Sequence, residues 1–131
     1  MTQPAIHIQF DTNGRNYEAG DVLTGTYRLE SIPLTEVRTV EVSVLWHTEG
    51  KGDEDLAVHE FQRLGAENGE VLDLGRGGRF QTTLPHCPLS YDGAIIKLGW
   101  FVRIRVFLTQ GKEVVGQRQF RLGSIPPIAT E

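Results

Sequence analysis

Apolar and polar residues alternate along most of the chain with a period of two, the spacing of strands with one buried face. The 3.6-residue period of a helix is nearly absent. Ile6, Ile8 and Phe10 alternate with Ala5, His7 and Gln9, which predicts a short first strand. Asp11, Thr12, Asn13 and Gly14 break it, because Asn, Asp and Gly accept left-handed backbone conformations. Residues 17–21 form another corner and open a strand over 22–30, in which Leu23, Gly25, Tyr27 and Leu29 share a face. A glycine inside a strand signals a bulge or a close backbone approach. Pro33 marks the next break.

The clearest alternation lies over 40–46, where Val40, Val42, Val44 and Trp46 point one way and Glu41, Ser43, Leu45 and His47 the other. A polar loop over 48–55 and a return strand over 56–63 complete a hairpin. The glycine-rich stretch 65–78 reads as an irregular connection with a short strand at 71–74. Phe80, Thr82 and Leu84 form a strand that ends at Pro85. Residues 85–93 are excluded from a central strand because Pro85 and Pro88 lack an N–H donor. The longest strand covers 96–109. Leu98, Trp100, Val102, Ile104, Val106 and Leu108 line one face; Lys97, Phe101, Arg103, Arg105 and Phe107 line the other. A turn at Gly111 and Lys112 returns the chain through 113–122, and 123–131 is an extended tail containing Pro126 and Pro127.

These elements predict an all-β fold of about seven or eight short antiparallel strands, a β-sandwich over 1–122 followed by the tail 123–131. Two sheets packed face to face would bury Trp46 and Trp100. A closed barrel is the alternative that strand number leaves open. The length of 131 residues fits one domain, and glycine at 15 of 131 suits turn-rich β structure. Thirteen Lys and Arg against 17 Asp and Glu give a formal charge of −4, which disfavours a nucleic-acid partner held by phosphate attraction. Cys87 is the single cysteine, so no internal disulfide forms, and neither a leader nor a membrane span is expected. A cytoplasmic location follows.

Several segments stand in a recognisable order. Tyr17-Glu18-Ala19-Gly20-Asp21-Val22-Leu23-Thr24-Gly25 resembles the corner and second strand of arrestin-like N-terminal domains. Phe80 to Pro85, then Pro88-Leu89-Ser90-Tyr91-Asp92-Gly93, is similar to that family's strand, Leu-Pro, Pro-x-Ser-aromatic and Gly sequence. The strand through Trp100-Phe101-Val102-Arg103-Ile104-Arg105-Val106 resembles the one that follows there. The resemblance covers Tyr17 to about Phe107 and implies an immunoglobulin-like sandwich serving as a non-catalytic adaptor or scaffold that docks a protein partner. The familiar arrangement has two sandwiches in tandem and this chain has one, which leaves a homodimer open.

Catalytic motifs are missing. Gly50-Lys51-Gly52 and Gly75-Arg76-Gly77-Gly78 lack the spacing and following helix of a phosphate loop, and no serine sits in a nucleophile elbow. His86 adjoins Cys87, but neighbours in an extended segment point apart. No enzyme activity and no cofactor are expected. His47 and His59 fall opposite each other on one face if the hairpin turns near Asp53, the one arrangement in which a divalent metal could be held. A one-residue slip separates them, so no metal site is assigned. The candidate partner-binding residues are two groups. Phe101, Arg103, Arg105 and Phe107 alternate aromatic and basic groups, types enriched at protein interfaces. Lys51, Asp53, Glu54 and Asp55 form a charged hairpin tip on a rigid support. For the first group the competing reading is cover by flanking strands and carboxylates such as Glu41. Exposed aromatics and histidines also suit a second function, a small-ligand or carbohydrate-binding sandwich.

Overall fold

The computed structural model describes residues 3–12, 16–50, 54–65, 78–93 and 96–123. Two sheets pack face to face as a sandwich. The smaller has the order β1-β3-β6, from Ala5–Phe10, Val22–Glu30 and Gly78–Thr83. The larger has the order β2-β9-β8-β4-β5, with β2 Asn16–Tyr17, β4 Val37–Gly50, β5 Leu56–Gly65, β8 Ile96–Leu108 and β9 Glu113–Leu122. Strand β7, Tyr91–Asp92, pairs with the start of β8. The open sandwich replaces the barrel alternative.

The alternation explains the layers. Val40, Trp100, Val102, Ile104 and Val106 have no solvent exposure, and they face Ile8, Phe10, Leu23, Tyr27 and Phe80 of the smaller sheet. Each fully buried side chain of this size contributes about 1.5–3 kcal/mol by leaving water. Phe10 lies edge-on to Tyr17, Phe80 and Phe120, so aromatic contacts join both sheets. Trp100 is fully buried, and its indole N–H donates to the Pro88 carbonyl at 2.8 Å. Trp46 is only half-buried at the margin of the core.

The structure differs from the expected outline in local ways. Strand β4 runs past both expected ends, and a 3-10 turn at Leu34–Glu36 precedes it. The antiparallel pattern has one exception, β2 running parallel to β9. The segment 85–93 supplies no central strand, yet Tyr91 and Asp92 join the larger sheet as β7. Residues 71–74 and the tail beyond Gly123 lie outside the described residues.

Tyr27 carries one cost of this packing. Its hydroxyl is buried without a partner among the described residues, and burial pushes its pKa up. Gly78 makes room for the ring: a Cβ there would sit 2.0 Å from Tyr27 Cζ. Tyr27→Phe removes the unsatisfied group while keeping the ring, so it is expected to stabilise the protein by about 1 kcal/mol. Urea denaturation checks this; a loss of stability would mean that the hydroxyl has a partner.

Candidate functional site

The outer face of the larger sheet is built as cross-strand rows. In the first, Arg63 of β5, Glu41 of β4 and Arg105 of β8 stand side by side. The Glu41 carboxylate, 15% exposed, lies 3.8 Å from Arg63 and 3.9 Å from Arg105, and Arg105 also donates to Glu113 at 2.8 Å. Phe61, Ser43 and Arg103 form the next row, where Arg103 donates to Gln117 at 3.0 Å. Val58, Leu45 and Phe101 follow, then Leu56, His47 and Gly99.

Phe101, Arg103, Arg105 and Phe107 therefore share one face as expected, all half-buried. Each has an internal neighbour. Phe101 stacks on His47 with centroids 4.4 Å apart and planes 7° from parallel, and the Arg105 guanidinium lies 5.1 Å above Phe107. At the hairpin tip Glu54 and Asp55 are exposed, and the Asp55 N–H donates to Thr48 Oγ1 at 2.8 Å. Lys51 and Asp53 lie outside the described residues.

His47 and His59 are not brought together. His47 pairs with Leu56 rather than with His59, a register three residues away from the expected one. An odd shift turns side chains to the other face, here those of Leu56 to Val58, while beyond the bulge the shift is even and Phe61 keeps its face. His47 consequently stacks on Phe101 outside, whereas His59 lies edge-on to Trp100 and its Nε2 is 2.9 Å from the Thr83 carbonyl oxygen. Among the described residues no three His, Cys, Asp or Glu side chains gather at one point. Cys87 is exposed.

The register shift also creates a surface that the alternation alone does not reveal. A bulge at Val44/Leu45 skips His59, so Phe61 joins Val58 and Leu56 on the outer face. These three are 52%, 50% and 55% exposed. They lie on β5, which among the described residues has a neighbour on one side only. Phe61 falling out of phase with Leu56 and Val58 is the sequence signal.

A second feature lies at the start of β8, on its β7 and β9 side. From Trp100 onward β8 pairs with β9; at Leu98 and Lys97 it pairs with β7. Ser90, leading into β7, ties the two neighbours together: its N–H donates to the Leu122 carbonyl and its hydroxyl accepts from the Leu122 N–H, both at 2.8 Å. The change of neighbour leaves a groove of about 580 Å³. Phe101, His47, Tyr91 and Gly99 line it, with Asn16, Gln119 and Arg121 on one wall and Glu49, Asp92 and Lys97 on the other.

The fold aligns with that of Spo0M, a sporulation control protein from Bacillus subtilis, with a TM-score of 0.62 over 95% of this chain. The sandwich is arrestin-like. The two sequences are 12% identical, and the chain spans about half of Spo0M, 51% of its length. Murine CRIg aligns at TM-score 0.43 and 11% identity, over 92% of this chain and 97% of that one. No family model matches the sequence, and no curated protein matches it.

The residues that carry the resemblance act as joints of the arrestin-like sandwich. Tyr17 is buried, with its hydroxyl 3.0 Å from Thr12 Oγ1, and its carbonyl accepts from the Gly123 N–H. The Asp21 carboxylate accepts from the Glu18 N–H at 2.9 Å, while the Asp21 carbonyl accepts from Leu84. Pro88 and Ser90 fix the far corner through Trp100 and Leu122.

Proposed function

We propose that this chain is a non-catalytic interaction module of the cytoplasm, and that it docks a protein partner on the outer side of edge strand β5. The observation that carries the reading is the row Leu56, Val58 and Phe61, three large apolar side chains at least half exposed on a strand that has a neighbour on one side only among the described residues. Natural edges are ordinarily blunted by charge, proline or cover, because they offer unpaired N–H and C=O groups to another chain. Here the side chains beside that edge are apolar, which suits a partner that adds an extended segment and seats its own apolar residues in the row. Arg63 and Glu41 bound the row on one side and supply a polar rim. Phe101 and Arg103 stand two strands in from the edge, on the same outer face but away from an added segment. The arrestin-like fold supports a binding or scaffold role.

The double variant Val58→Lys, Phe61→Lys tests this. Both positions are half in water, so stability should change by no more than about 0.5 kcal/mol each. Wild-type protein at native expression should recover a stoichiometric partner, and the variant should lose it by at least about tenfold, 1.4 kcal/mol. Equal recovery by the two proteins overturns the proposal. So does a homodimer dissolved by the same substitutions, which would place a second copy on the row.

A further inference from the structure

The groove between β7 and β9 shares cross-strand rows with the β5 edge, His47 and Gly99 with Leu56 and Phe101 with Val58, but it opens at the β7 and β9 side of β8 and its lining has a different character. We propose that it is a saccharide-binding site, independent of protein docking on β5. Its volume of about 580 Å³ is in the range of small-ligand sites. Three properties of the lining select the ligand.

The first is charge. Glu49 and Asp92 balance Lys97 and Arg121, and the Lys97 ammonium is already 3.6 Å from Asp92. A site for a phosphate-rich ligand would concentrate cations, and this one is neutral in sum. The second is hydrogen bonding. Asn16, Gln119 and Arg121 share one wall, and none has a side-chain partner among the described residues. Two amides offer both donors and acceptors, and the guanidinium adds a fork of donors. Sugar hydroxyls, each of which donates and accepts, match such a set. The third is the aromatic lining. His47 and Phe101 lie parallel at 4.4 Å, and Tyr91 borders the groove. Aromatic faces of this kind suit the C–H face of a pyranose, an apolar surface surrounded by polar edges.

Gly99 keeps the groove open. A Cβ there would meet Phe101 Cε2 at 3.0 Å and Gln119 Nε2 at 3.1 Å, pressing on the aromatic floor and the amide wall together. A lipid chain fits poorly because four charged and two amide side chains ring the space.

The test is an amide NMR titration of the full chain with glucose, N-acetylglucosamine, maltose and cellobiose, each to about 50 mM, a range that detects millimolar Kd. At least one sugar should give saturable shifts at the Asn16 and Gln119 side-chain amides and the Gly99 backbone. Gln119→Ala with Arg121→Ala should weaken it by about tenfold or more while the rest of the spectrum is retained. Val58→Lys with Phe61→Lys should leave it unchanged, so failure at one surface is separable from failure at the other. No shifts with any of the four sugars overturn the proposal. Shifts that persist in the groove variant, or stronger shifts with inorganic phosphate at the same concentration, do the same.

Discussion

Gly25→Ala is expected to lower stability by about 3 kcal/mol, or roughly 10 °C in Tm. Gly25 lies in β3, the central strand of the smaller sheet, opposite Phe10 of β1 and Phe80 of β6. The Phe80 ring lies over it, and the Gln9 carbonyl approaches from the other side. A Cβ would stand 2.3 Å from Phe80 Cζ and 2.5 Å from that oxygen. Phe80 can turn only by losing its edge-on contact with Phe10 and its place in the core. The carbonyl belongs to the β1 backbone and can move only by straining the β1–β3 ladder. Thermal denaturation of Gly25→Ala, and of Gly25→Ala with Phe80→Leu, separates the two obstacles. The second change should restore part of the loss if the ring dominates, and none if the carbonyl does. A Gly25→Ala protein as stable as wild type would contradict the close packing of β1, β3 and β6.

Gly25 also illustrates what the sequence makes legible. A glycine at a core-facing position of an alternating strand has no packing value of its own, so close approach is its physical explanation, and the structure places an aromatic ring there. The same logic makes β8 readable: six alternating apolar residues leave one way to face the core. The resemblance to arrestin-like domains rests on Tyr17, Asp21, Gly25, Pro88 and Ser90, and these residues join corners to strands. For that reason they report the fold and are silent about the partner.

The site was less legible because it depends on registers and changes of neighbour that alternation cannot encode. The register shift and bulge between β4 and β5 move His59 inward and bring Leu56 and Val58 to the outer face beside Phe61. They remove the metal candidate and create the apolar row in a single step. The groove combines β2, β4, β7, β8 and β9 at the point where β8 changes partner, and Asn16 and Gln119 are far apart in sequence. Only Phe101, among the residues singled out from sequence alternation as partner-binding, lines it. Arg103, Arg105 and Phe107 instead carry a ladder of internal contacts, since Glu41, Gln117 and Glu113 lie within reach.

Trp100→Ala should cost about 3–5 kcal/mol, because it empties the largest fully buried position of the core. The indole touches three structural parts at once. It lies edge-on to His59 of β5 at 6.0 Å, tilts against Phe120 of β9 at 5.9 Å, and donates to the Pro88 carbonyl at 2.8 Å. Trp100→Phe keeps an aromatic ring but removes the donor, leaving the Pro88 carbonyl without its indole partner; about 1–3 kcal/mol should be lost. The two losses should differ in their consequences. Pro88 stands two residues before Ser90, whose paired hydrogen bonds to Leu122 fix the β7 wall of the groove. Trp100→Phe should therefore quicken amide hydrogen exchange at Ser90 and Tyr91 more than at Val42 or Ile104 in the core, whereas Trp100→Ala should quicken exchange throughout. Urea denaturation combined with native-state exchange measures both quantities. A uniform acceleration in Trp100→Phe would show that the indole N–H contributes to global stability without positioning the groove wall. A Trp100→Ala protein that lost less than about 1 kcal/mol would place the indole outside the packed interior altogether.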